Sequence, residues 1–203
     1  MVYKIGSTGP VVKQIQTALG LIPDGSFGPL TKEALVTWQR EHNLTADGIA
    51  GPSTLARLIP QRLVKSKRVI TDIVVHCTAT VEGKDFTADD IRKMHKAQGW
   101  SDIGYHYVVR IDGTVENGRD VNLIGSHVAG HNSHSIGVVY VGGLDKNKKA
   151  KDTRTEEQKA SLLSLLMDLR KLYPNAKISG HRDFPGVAKA CPCFDAKKEY
   201  SRI

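Results

Sequence analysis

The sequence predicts an α/β domain, a mixed β-sheet flanked by helices, preceded by a small three-helix domain. Two observations support this prediction. Residues 1–60 contain three Gly-Pro pairs, each followed by apolar residues at helical spacing. From residue 69 onward, runs rich in β-branched residues alternate with helical patterns, as is typical of strands and helices packed in layers. A basic segment joins the two parts, so the predicted boundaries are 1–60, 61–68 for the linker and 69–203.

An internal repeat organises the first sixty residues. DGSFGPLT at 24–31 returns as DGIAGPST at 47–54, and a shorter TGP begins at Thr8. Proline at the first helical position has a preset φ and lacks only an amide hydrogen that would be unpaired there, so each Gly-Pro predicts a helix start. The Asp-Gly pairs predict turns between the helices. We expect the following to be turn and cap residues rather than ligand contacts: Asp24, Thr31, Asp47 and Thr54.

The larger domain is predicted element by element. We expect strands at 69–76, 135–143 and 177–180, a β-hairpin across 105–118 with its turn at Asp112-Gly113, and helices that begin after Thr87 and Thr155. Gly99 is the expected C-terminal stop of the first of these helices. Gln158 completes a capping box with Thr155, at the start of a long amphipathic helix.

The charge balance indicates an anionic partner. The chain has 29 Lys and Arg against 21 Asp and Glu, a net charge of +8. Nucleic acid, a membrane surface or a cell-wall polymer would each attract such a protein. Basic residues are scattered and aromatics are not interleaved with them, which argues against nucleic acid. No apolar run approaches the length of a membrane-spanning helix, so we expect no integral membrane segment.

The first twenty residues, MVYKIGSTGPVVKQIQTALG, contain no continuous apolar core after their first lysine. This pattern predicts that the chain has no signal peptide. We therefore expect a protein made in the cytosol that depends on another agent to reach any target outside it.

The stretch SGHRDFPGVAKACPCFD, residues 179–195, is the richest in reactive side chains. Three cysteines are too few and odd in number for a disulfide scaffold, and in a reducing cytosol three thiols are the default. His76 ends the first predicted strand and His181 follows the last one, and strand ends are where open α/β sheets place ligand sites. With Cys191 they make a plausible zinc set, whose fourth position would stay open as in catalytic sites.

Four segments carry a family resemblance: VVHCTAT, GWSDIGYHYVV, GSHVAGHNSHSIGVVYVGG and GHRDFPGVAKACPCFD. In this order, across residues 68–196, they resemble the type-2 N-acetylmuramoyl-L-alanine amidases, zinc enzymes that include phage endolysins and relatives of animal peptidoglycan-recognition proteins. The repeat from Gly6 to Ile59 resembles the type-1 peptidoglycan-binding domain. The resemblance implies that the first domain holds the protein on the bacterial cell wall.

The same resemblance implies roles for individual residues. It makes His76, His181 and Cys191 the ligands of one Zn²⁺ per chain. It makes Tyr105 and Lys189 catalytic, and His127 a substrate-binding residue in the cleft. Cys193 is the competing thiol ligand, but Pro192 and the AKACP match favour Cys191.

The implied activity is hydrolysis of the amide bond between N-acetylmuramic acid and L-alanine by zinc-activated water. We expect a monomeric, bacteriolytic phage endolysin, held in the host cytoplasm until a holin opens the membrane and then acting on the cell wall. A non-catalytic peptidoglycan-recognition protein and a cell-wall recycling amidase are the alternatives. The cysteine ligand argues against the first, and the wall-binding domain argues against the second.

Overall fold

The computed structural model describes residues 2–59 and 63–203, and the chain divides into two compact units, Met1–Arg62 and Leu63–Ile203. Residue 60 and the first two residues of the predicted linker, 61 and 62, lie outside the described residues. Its later residues belong to the second unit: the Ser66 amide donates to the Tyr173 hydroxyl at 2.7 Å, and the Ser66 hydroxyl donates to the Val121 carbonyl at 2.6 Å. The second unit therefore includes residues that sequence reasoning assigned to the linker.

The first unit contains three helices, α1 (Pro10–Ala18), α2 (Pro29–Glu41) and α3 (Pro52–Leu58). Each begins with the proline of a Gly-Pro pair, so the three predicted helix starts are confirmed. The preceding glycine is the N-cap in each case and makes no side-chain capping bond. A small core holds the helices together: Val12, Ile15, Phe27, Leu35, Ala50 and Leu58.

Two buried glutamines explain the internal repeat. Gln16 of α1 donates from Nε2 to the Asp24 carboxylate at 2.7 Å and to the Thr31 hydroxyl at 3.2 Å, while its Oε1 accepts from the Gly25 amide at 2.8 Å. Gln39 of α2 makes the same bonds one repeat later, to Asp47, Thr54 and Gly48. Thr31 and Thr54 are thus the third residues of α2 and α3, where each accepts a hydrogen bond from a glutamine. They are not the N-caps of these helices, which corrects the expectation from sequence.

The second unit is built on a mixed sheet of five strands: β1 (Asp72–Cys77), β3 (Tyr107–Val109), β4 (Val115–Asn117), β5 (Ser135–Tyr140) and β7 (Lys177–Gly180). Their order across the sheet is β4-β3-β5-β1-β7. Within this sheet the described strands pair in parallel, except that β3 and β4 pair antiparallel and form the predicted hairpin. Two short strands, β2 (Thr80–Val81) and β6 (Gly143–Leu144), pair separately in parallel.

Helices cover both faces of this sheet. Helix α4 (Ala88–Ala97) begins at a capping box of Thr87 and Asp90, and α5 (Glu156–Leu172) begins at one of Thr155 and Gln158. Gly99, just past α4, has a φ of 87°, the left-handed conformation that favours glycine at a helix end. A last short helix is α6 (Ala196–Glu199). The mixed sheet flanked by helices predicted from sequence is confirmed.

Side-chain alternation along β1 decides which face carries the functional residues. Ile73, Val75 and Cys77 pack in the core that α5 covers, together with Leu162 and Leu166. Side chains on a strand alternate between faces, so the intervening His76 lies on the opposite face, the one that α4 covers.

Among the described residues, none of the helices combines the length and apolar character needed to cross a membrane.

Candidate metal centre

Two histidines lie at the ends of neighbouring parallel strands. Val75 of β1 pairs with Gly180 of β7, so the residues that follow them, His76 and His181, lie side by side at the carboxyl edge of the sheet. Their ring centroids are 4.7 Å apart. His76 is 1% exposed, whereas His181 is only partly buried. The pair therefore has a buried side and an accessible side.

A loop after His181 brings Cys191 back to this pair. The Arg182 amide donates to the Cys191 carbonyl at 2.8 Å, which joins the two ends of the loop. The Tyr140 hydroxyl, inside the core, donates to the Pro192 carbonyl at 2.7 Å. These two bonds hold the cysteine in place although the loop around it is largely exposed.

The three side chains form a compact donor set. One ligand atom from each of His76, His181 and Cys191 lies within 4.8 Å of the others, and the Cys191 Sγ is 3.7 Å from Nδ1 of His76. Two imidazoles and one thiolate are ligands that zinc prefers, and three protein ligands are the number found in catalytic zinc sites. The donor chemistry therefore fits a zinc ion with one position left for a water or a substrate.

The surroundings favour the metal-binding form of both imidazoles. Burial, followed by the positive potentials of His127, His181 and Lys189, holds the pKa of His76 well below its usual value. Burial and Lys189 also lower the pKa of His181. A metal ion binds the neutral form of imidazole, so at neutral pH these histidines need to release few protons before they can bind one.

The two cysteines of the loop differ in environment. A hydrogen bond from the Cys77 thiol lowers the pKa of Cys191 against the effect of burial, and the Cys77 amide donates to the same sulfur at 3.3 Å. The Cys193 Sγ instead lies 3.7 Å from that of Cys77 and donates to the Gly143 carbonyl at 3.2 Å. Burial raises the pKa of Cys193 to about 12. The structure thus brings Cys191, and not Cys193, to the histidine pair.

Tyr105 packs beside His76, and Lys189 acts on the two histidines through its charge. The Tyr105 ring centroid is 5.1 Å from that of His76, and burial raises the pKa of its hydroxyl, which therefore stays protonated at neutral pH. Lys189 is exposed, and its charge lowers the pKa of both histidines. The two predicted catalytic side chains are thus brought to the predicted ligands.

His127 lies next to His76 and is largely buried, with 8% of its surface exposed. Its Nδ1 lies 3.1 Å from Nε2 of His76, and its Nε2 lies 3.3 Å from the Ser135 hydroxyl. Both ring nitrogens therefore have partners inside the protein.

Sequence reasoning assigned no role to three residues around His127. Besides Ser135, they are His106, whose Nδ1 accepts from the Gly137 amide at 2.9 Å, and Arg68, which donates to the Ser135 carbonyl at 3.2 Å. Burial lowers the pKa of His106 to about 4, so it is neutral in the folded protein. Arg68 belongs to the predicted basic linker. The partners of its side chain lie more than thirty positions away, and no local pattern in the sequence marks such contacts.

Comparison with known proteins agrees with this geometry. The N-acetylmuramoyl-L-alanine amidase family model matches residues 66–194, and a peptidoglycan binding domain model matches residues 8–58. The chain is 47% identical to the endolysin of Enterobacteria phage K11 over 61% of its length and 81% of that protein. It is 43% identical to the endolysin of Escherichia phage T7, over 70% of its length and 93% of that protein.

Solved structures show the same fold. The N-acetylmuramoyl-L-alanine amidase LysC from Clostridium intestinale superposes with a TM-score of 0.53 at 32% sequence identity, covering 65% of this chain and 82% of that one. The matched family segment contains the sheet and all three metal-ligand candidates. The chain belongs to the N-acetylmuramoyl-L-alanine amidase family, and it is a peptidoglycan hydrolase.

Proposed function

We propose that this protein cleaves the amide bond between N-acetylmuramic acid and L-alanine, with one zinc ion held by His76, His181 and Cys191. The observation that carries the proposal is the set of three donor atoms within 4.8 Å of one another. These donors lie at the end of the sheet and inside the segment that matches the amidase family. When bound, the zinc would act as a Lewis acid that activates water and polarises the amide carbonyl.

The chain's own residues would stabilise the charge that develops on the substrate. Attack on an amide moves negative charge onto its carbonyl oxygen, and donors already in place lower the energy of that transition state. Lys189 supplies a positive charge beside the two histidines, and Tyr105 supplies a hydroxyl that stays protonated because burial raises its pKa. We assign both residues to this role.

The N-terminal unit would act as the anchor. Residues 8–58 match the peptidoglycan binding domain model, and the unit has its own core. In our proposal, residues 1–60 bind the wall, 61–68 connect the two domains, with the residues from Leu63 onward packed in the second unit, and 69–203 cut, all within a monomer. Binding by the first unit raises the local concentration of the second at its substrate.

The place of action follows from the kind of relatives that the chain has. Phage endolysins share 43% and 47% of its matched residues. We propose that the protein likewise waits in the host cytoplasm, passes the membrane when a holin opens it, and then cuts the wall.

Metal analysis and product analysis together test this function. We expect about one zinc per chain, and mass spectrometry of digested sacculi should show stem peptides with a free L-alanine amine and glycan with a free lactyl carboxylate. A chelator should abolish lysis and added zinc should restore it, while wall binding persists. Lysis that is unaffected by chelation, in protein free of zinc, would contradict the metal assignment. Wall binding without released peptides would favour a recognition protein.

A further inference from the structure

A line of hydrogen bonds runs from the metal-ligand candidate His76 into the protein interior. Nε2 of His76 lies 3.1 Å from Nδ1 of His127. Nε2 of His127 lies 3.3 Å from the Ser135 hydroxyl, and that hydroxyl lies 2.8 Å from the backbone carbonyl of His131. The line thus connects one imidazole of the donor set to a carbonyl group through two buried side chains.

The carbonyl fixes the direction of every bond in this line. A carbonyl oxygen only accepts, so the Ser135 hydroxyl donates its proton to it and keeps a lone pair for His127. His127 then carries its proton on Nε2 and leaves Nδ1 as an acceptor. His76 must in turn carry its proton on Nε2. The Nδ1 of His76 then keeps a free lone pair. This atom lies 3.7 Å from the Cys191 sulfur, so the lone pair is available to a metal held by the donor set.

We propose that His127 and Ser135 are positioning residues that select Nδ1 of His76 as its ligand atom and hold the ring in place. This inference rests on the metal site of the proposed function. Hydrogen bonds of this kind behind a metal-binding histidine set its tautomer and ring orientation.

The space around His127 is shaped to hold its ring. A Cβ on Gly137 of β5 would lie 2.6 Å from the ring carbon Cδ2, and a Cβ on Gly125 would lie 2.7 Å from the same atom. The Asn132 side chain accepts from the backbone amides of His127 and Val128, each at 2.9 Å. Because neither glycine accepts a side chain without moving the ring, both serve the placement of His127.

Three variants separate hydrogen bonding from packing. His127→Phe keeps a ring of similar size and removes both nitrogens. His127→Asn keeps an oxygen near the place of Nδ1, which can accept from His76, but is too short to reach Ser135. Ser135→Ala leaves His127 intact and removes its link to the carbonyl. Ser161→Ala is the matched control, because the Ser161 hydroxyl is buried but has no hydrogen-bond partner among the described residues.

Two measurements read the effect without relying on activity. The first is the zinc dissociation constant of each purified metal-free protein, obtained by competition with a chromophoric chelator. The second is ¹⁵N NMR of the imidazole nitrogens in the metal-free parent, which reports the nitrogen of His76 that carries the proton. Loss of a partner behind a metal ligand typically weakens metal affinity by about 10–100-fold.

We expect His127→Phe to weaken zinc binding by about 10–100-fold, with Ser135→Ala and His127→Asn between it and the parent and Ser161→Ala unchanged. The NMR spectrum should place the proton on Nε2 of His76. A proton on Nδ1, or zinc affinity within about threefold of the parent in both His127→Phe and Ser135→Ala, would overturn the proposal. If His127→Phe does not fold, Ser135→Ala and the spectrum decide. If the parent binds no zinc, the proposed function fails, and the spectrum alone decides the role of His127.

Discussion

Two cysteines separated by one proline show how much the surroundings of a single residue decide. Cys191 receives a hydrogen bond from the Cys77 amide at 3.3 Å and faces the imidazole of His76. Cys193 has a φ of 71°, and its sulfur turns toward Cys77 and the Gly143 carbonyl. The same side chain is thus a candidate ligand at one position and a packing thiol at the other.

This contrast predicts different outcomes for two serine substitutions. Cys191→Ser should lose both zinc and amidase activity, because a neutral serine hydroxyl is a far weaker zinc ligand than a thiolate. Cys193→Ser should keep most of both, since its sulfur is not part of the donor set. Zinc content and lysis rate, measured on the same preparations, test the pair. The reverse result would show that Cys193 is the ligand.

The charge of Lys189 predicts a selective loss of rate. If the ammonium stabilises the transition state, Lys189→Ala should lower kcat by about 10²–10³-fold, the loss typical of one such donor. KM should change little, because ground-state binding does not use this charge. Zinc content should also change little, because burial, the larger cause, still holds the pKa values of His76 and His181 low. Steady-state kinetics on soluble muropeptides, with zinc measured alongside, check the prediction.

Two further variants control this experiment. Tyr105→Phe deletes one hydroxyl and leaves the ring packed, so it should resemble Lys189→Ala. Lys197→Ala removes an exposed lysine of α6 and should have no effect. A loss of less than about threefold in Lys189→Ala would mean that the side chain only faces solvent. Lost zinc together with lost activity would instead assign it to the shape of the ligand loop.

At the scale of elements, capping residues account for where two helices of the second unit begin, and one buried glutamine accounts for how the first two helices of the chain are linked. The predicted capping boxes at Thr87 and Thr155 are present. In the first unit, Gln16 ties α1 to the Asp-Gly turn and to the start of α2. The repeated turn is visible in the sequence, but the role of the glutamine is not, because its partners lie 8 to 15 positions away.

Gln16→Leu should therefore destabilise the first unit. The change leaves the buried Gly25 amide without its acceptor, and an unpaired buried polar group costs about 1–3 kcal/mol. Urea unfolding of the full chain would measure the loss through the fluorescence of Trp38 in α2, with Trp100 of the second unit replaced by Phe in parent and variants alike. Gln14→Leu, at an exposed position of the same helix, is the matched control and should unfold like the parent. Equal midpoints for the two variants would contradict this account of the repeat.

At the scale of the whole molecule, the chain consists of two units that are each compact. All three ligand candidates, together with Tyr105 and Lys189, belong to the second unit. That unit begins at Leu63, which packs against the core beneath α5. The chemistry and the proposed wall binding therefore belong to separate parts of the chain.

A fragment of residues 63–203 should keep the chemistry and lose the anchor. It should cut soluble muropeptides at the rate of the full chain, because it contains the whole donor set. On intact sacculi it should be slower, since the first unit no longer raises its concentration at the wall. Comparing the two proteins on both substrates tests this. Equal rates on sacculi would mean that the first unit is not a wall anchor.

The sequence by itself determined the family of this protein and most of its elements, but not the short strands β2 and β6 or the short helix α6. Helix starts at Gly-Pro, capping boxes, the hairpin turn and the apolar periodicity depend on residues a few positions apart, so they can be read locally. The motifs around His76, Tyr105, His181 and Cys191 carried the resemblance to zinc amidases. Only the tertiary structure decided which residues form hydrogen bonds with the proposed metal ligands. His127 lies 51 positions from His76, and Cys77 lies 114 from Cys191. Such contacts arise when strands distant in sequence pair, and hydrogen bonds made there leave no periodic pattern in the chain.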